Sequence, residues 1–142
     1  MDTTVRLDSN FPSLAAAFRA ASTDQRRGAA KAAAEIAVAH ANLGGDEIRE
    51  ALDVLRGRSP LPSGLRERVE ALSSSLDESY FEASDNGDQA RSLELFSQAR
   101  AASAVAYALT PDADVLHEAI YEATVAVEDP ANVVGAVERA FR

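Results

Sequence analysis

The nine residues from Ala101 to Leu109 read Ala-Ala-Ser-Ala-Val-Ala-Tyr-Ala-Leu and carry no charge on any face. A helix of that composition offers water no polar side, so other elements must cover it from several directions. It is also far too short to cross a bilayer, which takes about 20 apolar residues. A central helix inside a bundle is therefore expected. Its alanines would let neighbouring backbones approach closely.

The rest of the chain agrees with that expectation. Gly, Pro and Asx or Ser residues recur at intervals, and the stretches between them repeat their apolar residues near every 3.6 positions. A first helix is predicted after Asn10, with Pro12 in its first turn, ending near Ala21. Ser22 and Gln25 have capping-box spacing for a second helix running to about Asn42, where Gly44-Gly45 would stop it. Asp46 would cap a short third helix striped by Ile48, Leu52 and Leu55 and closed by Gly57.

The Pro-rich segment 58–64 cannot be regular structure and reads as an internal loop, the best hinge in the chain. A fourth helix carries Leu65, Val69, Leu72, Leu76, Tyr80 and Ala83 on one stripe, and Asp85-Asn86-Gly87-Asp88 marks a turn. The central helix then spans Gln89 to Leu109. Thr110-Pro111 is expected to start a sixth helix striped by Leu116, Ala119, Ile120, Ala123 and Val127. Asp129-Pro130 would start a seventh, with Val133 or Val134, Val137 and a docked Phe141.

No alternating strand pattern bounded by turns appears. Thr4-Val5-Arg6-Leu7 is the sole candidate, and residues 1–10 are expected to form a flexible or extended arm. The fold class read from the sequence is all-α: a single domain over residues 1–142, with six or seven helices in orthogonal or irregular packing. At 142 residues the chain can bury a full core in one domain.

Charge narrows the functional classes. Residues 1–71 hold ten acids and ten bases, whereas residues 72–142 hold thirteen acids against Arg91, Arg100, Arg139 and Arg142. The net charge of −9 thus sits in the second half. Such a half repels phosphate backbones and anionic lipid, so nucleic acid and membrane are not expected partners, and it attracts a basic protein. The bland alternative is that acidity only maintains solubility. With no cysteine, neither disulfides nor thiol chemistry arises. The start has no basic and apolar leader, so a cytoplasmic setting is expected. Thirteen of fourteen basic residues are Arg and alanine is abundant, a bias that suits a GC-rich bacterial genome.

Motifs for chemistry are weak. Asp114, His117 and Tyr121 would share one flank of the sixth helix, and with Glu122 they could serve a pocket for a small molecule or a reaction. The alternative is that His117 is a boundary residue, and that His40 merely favours the end of its helix. No metal or cofactor is expected, because no Glu-x-x-His pair occurs. The twelfth residue from Asp85 is Phe96, where an EF-hand needs Glu. Gly44-Gly45 suggests a helix-turn-helix, but the would-be recognition helix carries four acids and one base over Asp46–Asp53.

The residue that stands out is Phe81. On a helix extending to Ala83 it points about 145° away from the Leu65–Leu76 stripe. Asp77, Glu78, Glu82 and Asp85 surround it. An aromatic ring rimmed by carboxylates suits a non-enzymatic contact with a basic protein, as in an immunity or antitoxin protein or a regulatory adaptor. If the helix ended early, or packed on both faces, Phe81 would instead be core. A further alternative is a homodimer formed through the Ala-rich stretch from Ala29 to Ala41.

Overall fold

The computed structural model describes residues 5–142 and places eight α-helices and one 3-10 turn there, with no strand among the described residues. The helices are α1 (Val5–Asn10), α2 (Pro12–Ala20), α3 (Thr23–Ala41), α4 (Asp46–Leu55), α5 (Leu65–Asp85), α6 (Gln89–Ala108), α7 (His117–Ala126) and α8 (Ala131–Ala140). The 3-10 turn spans Ala113–Val115, between α6 and α7.

Helix α6 is the centre. It packs against α3, α4, α5 and α7, and from Ala99 onward all its residues are buried except the half-buried Arg100, Ser103 and Tyr107. The charge-free stretch thus lies where its composition requires. The other axis is α3, which packs on α6, α7 and α8. Ala29, Ala30, Ala33, Ala34, Ala37, Val38 and Ala41 form its buried face. Within the Ala29–Ala41 stretch this small-residue face therefore packs inside the molecule, whereas Ala39 is exposed. The alanines set the spacing, since a methyl group lets two backbones come closer than any larger side chain would. Ala34→Leu, at a fully buried position, is expected to cost about 1–3 kcal/mol by overpacking. Chemical unfolding checks this, with exposed Ala39→Leu as the control that changes little.

Local signals explain most boundaries. Ser22 Oγ accepts from Gln25 N at 3.1 Å while Gln25 Oε1 accepts from Ser22 N at 2.8 Å, the reciprocal capping box. Helix α3 ends one residue before Asn42, which takes the left-handed conformation at φ 53°, so this asparagine and not Gly44-Gly45 terminates it. Asp46 is the first residue of α4 and Gly45 its cap, a small shift from the expected capping role. Asp88 caps α6 by accepting from Arg91 N at 3.1 Å. The 58–64 segment is irregular, as expected.

Two regions differ from the sequence reading. Residues 5–10 form a helix with Leu7 fully buried, so they are neither an extended arm nor a strand; residues 1–4 lie outside the described part. The reason is tertiary, since a single turn of helix has little stability alone. Leu7 anchors α1 in the core, and Arg6 holds it through Glu118 and Glu122 on α7. The second difference follows Thr110-Pro111, where no α-helix starts. Asp112 caps the 3-10 turn instead, and α7 begins only at His117. Phe141 docks as expected, its ring 6.4 Å from that of Phe18 and its carbonyl accepting from Gln25 Nε2 at 3.2 Å.

Candidate functional site

Helices α5 and α6 form an antiparallel hairpin around Asn86-Gly87-Asp88. Ser73 Oγ donates to Ala99 O at 3.0 Å far from the turn and Tyr80 meets Phe96 nearer to it, while Asp77 between them pairs with the long side chain of Arg100. Helix α5 continues to Asp85, so the geometry that turns Phe81 outward is present. Phe81 is 62% exposed. Its ring lies 5.2 Å from Tyr80, which in turn lies 5.6 Å from Phe96 across the hairpin. Leu93, three residues before Phe96 and so its neighbour on the surface of α6, is 69% exposed. Near the hairpin turn there is thus an apolar surface of four side chains, two of them open to solvent.

The carboxylates divide into two groups. Glu78, Glu82 and Asp85 are exposed and take part in no ion pair among the described residues. Asp77 belongs elsewhere. Both of its oxygens accept from Arg100 Nη2, at 3.0 and 2.9 Å, and Nη1 of that guanidinium donates to Glu122 at 3.2 and 3.1 Å. The rim of Phe81 therefore consists of three free carboxylates, with the fourth expected member committed to an internal network.

That network accounts for the other candidates as well. Glu122 is buried at 3% exposure between Arg100 and Arg6, and Arg6 lies over the Tyr121 ring at 4.3 Å. Partial burial opposes the charge of Arg6, but hydrogen bonds and proximity to Glu118, and then to Glu122, hold its pKa above the usual arginine value. His117 is 1% exposed, edge-on to Phe18 at 5.5 Å, with Nδ1 3.1 Å from Glu118 Oε1. Asp114 sits in the 3-10 turn and pairs with Arg26 at 2.8 Å. The flank expected to be shared by Asp114, His117 and Tyr121 does not form, because Asp114 lies off α7 in the 3-10 turn and α7 is covered by α1, α3, α6 and α8, which buries His117. His117, Tyr121 and Glu122 are occupied in holding helices together.

His40 is exposed and lines a hollow of about 800 Å³ between α3 and α8, together with Ile36, Glu128, Asp129 and Arg139. No group of three or more His, Cys, Asp or Glu residues suited to a metal occurs among the described residues. None of the described helices is long and apolar enough to cross a membrane.

Leu93 and the Tyr80–Phe96 contact went unread in the sequence, although a signal existed. Leu93 and Leu95 are separated by 200° on a helix, so one of them had to leave the core. Leu95 is buried. Comparison of the chain with protein-family models, curated proteins and solved structures finds no match to any of them.

Proposed function

We propose that this protein is a non-enzymatic interaction domain that docks a basic protein partner on the end of the α5–α6 hairpin. The observation that carries this reading is the 62% exposure of Phe81 within a cluster of aromatic rings, beside carboxylates that have no counter-ion of their own. An exposed apolar patch with a charged rim is a recurrent form of protein contact surface. Phe81 would enter a pocket on the partner, and Leu93 would extend the apolar contact. Glu78, Glu82 and Asp85 would meet Lys or Arg at the rim, raising the association rate and selecting against acidic surfaces. A second copy of the chain is a poor occupant, because two-fold pairing here would set carboxylates against carboxylates. An immunity, antitoxin or adaptor role in the cytoplasm fits a surface of this kind.

The test is affinity capture from the cells that make the protein, followed by a binary measurement with the purified partner. Phe81→Ala combined with Glu78→Arg should weaken the complex at least 30-fold, the size of one aromatic anchor. Both positions are exposed, so unfolding stability should change by no more than about 0.5 kcal/mol. Equal affinity for the variant and the original chain would overturn the assignment.

A further inference from the structure

A different region departs from the acidic character of the molecule. Helix α3, the end of α4, the 58–64 loop and the last turn of α6 border a half-open hollow of about 350 Å³. Val54, Leu55, Leu61 and Leu109 supply its walls, and its only charged lining residues are Arg27 and Lys31, one helical turn apart on α3. No carboxylate lines it. Glu35, the next residue along that row of α3, is tied to Arg56 at 3.1 Å and does not neutralise Lys31.

The two cations differ in their freedom. The Arg27 guanidinium donates to the carbonyl of Thr110 at 3.2 Å and to that of Pro111, which fixes it at the edge of the hollow. Lys31, the only lysine of the chain, is half-buried and has no hydrogen bond or ion pair among the described residues. The side chain's stem lies along the apolar walls while its ammonium, reached by solvent and without a partner among the described residues, is available to an anion. Leu61, at 45% exposure, and Leu109 also line an adjoining hollow of about 300 Å³, so an apolar tail has room to continue past Leu61.

From these features we infer that the hollow binds a small amphipathic monoanion, an alkyl carboxylate of medium length. Its head would accept from Lys31 within the positive field of Arg27, and its tail would lie against Val54, Leu55, Leu61 and Leu109. A polyanion such as a nucleotide suits the site poorly, since a single free cation faces walls that are otherwise apolar. The volume lies at the lower end of the roughly 300–1,000 Å³ common for small-molecule sites. The loop at 58–64, whose prolines at 60 and 62 limit its backbone freedom, would then serve as a wall of this site.

The full chain can be titrated with sodium octanoate by calorimetry, with amide resonances followed by NMR. Saturable one-to-one binding is expected, with shifts concentrated at residues 27–31, 54–61 and 108–111. Octylammonium, with the same tail and the opposite head charge, should bind at least tenfold more weakly. Lys31→Gln should weaken octanoate about tenfold, as the loss of one charge-assisted hydrogen bond implies. Leu61→Asp, a change on the exposed loop that leaves the helices untouched, should weaken it by at least as much and serves where Lys31→Gln lowers stability. The inference is overturned if octanoate does not saturate, if octylammonium binds equally well, or if both variants retain the original affinity.

Discussion

Replacing Phe18 with alanine is expected to lower the unfolding free energy by about 3–5 kcal/mol, a large share of the 5–15 kcal/mol typical of a domain. Phe18 is 1% exposed at the end of α2. Its ring meets His117 at the start of α7 and Phe141 after α8, and the guanidinium of Arg26 on α3 lies over it at 4.4 Å. One side chain thus joins the consecutive helices α2 and α3 to α7 and α8 at the other end of the sequence. Truncation leaves a cavity that α2 cannot close, because Arg26 Nε donates to Phe18 O at 2.9 Å and holds the backbone in place. It also strips the buried imidazole of its apolar neighbour. Urea unfolding monitored by circular dichroism measures the loss. Phe18→Leu, which keeps most of the volume, should lose less than half as much. A loss below 1 kcal/mol for the alanine variant would mean that the ring is not the clamp its contacts suggest.

The helices were legible because their start and stop residues act locally. Pro12, the Ser22–Gln25 box, the Asn86-Gly87 turn and the two prolines of the 58–64 loop determine backbone behaviour without reference to distant parts of the chain. The central place of α6 was legible too, because an uncharged helix has no alternative to burial. Helix α1 was not. Its six residues have no propensity that would hold them helical alone. Arg6 finds its carboxylates only on α7, more than a hundred residues later, and Leu7 is buried only once the core has assembled around it. The start of α7 was misread for a related reason. Thr110-Pro111 satisfies the pattern of a helix start, but Thr110 and Pro111 give their carbonyls to Arg27, and Asp112 caps a 3-10 turn before the α-helix begins. Periodicity alone set His117 on a flank, and the packing of α1, α3, α6 and α8 around α7 buries it.

The candidate surface was partly legible. Phase along α5 turned Phe81 outward, and the extension of α5 to Asp85 preserves that direction. The fate of Asp77 could not be read, because pairing with Arg100 depends on the register of α5 against α6, which no local pattern specifies. Likewise, Arg27 and Lys31 stand one turn apart on α3, but the apolar walls that face them come from three other segments of the chain.

Arg100→Met tests the network that ties these helices together, and the expected loss is about 3–5 kcal/mol. Among the described residues Arg100 is the one cation that reaches both Asp77 and Glu122, and the Glu122 side chain is only 5% exposed. Removing the guanidinium leaves Glu122 facing Arg6 alone, at 3.3 Å, in a setting too dry to hydrate a carboxylate. Asp77, at 37% side-chain exposure, can turn to water and should contribute little to the loss. The cost therefore comes from a stranded buried charge, and removing that charge should cancel most of it. The double variant Arg100→Met with Glu122→Leu is expected to recover to within about 1 kcal/mol of the original chain, since well-packed apolar side chains commonly equal a buried ion pair in stability. Recovery is favoured further because Arg100 Nε is itself buried without a hydrogen-bond partner, a penalty that disappears with the arginine. A double-mutant cycle in urea gives the coupling directly, and at least 2 kcal/mol is expected. Losses that simply add would show that Arg100 and Glu122 contribute by packing alone. Alanine-rich faces have few protruding side chains to fix how α6 slides against α5 and α7, so the double variant, though stable, should show broadened or doubled amide resonances along α7. Sharp, single resonances would show that packing alone sets the register.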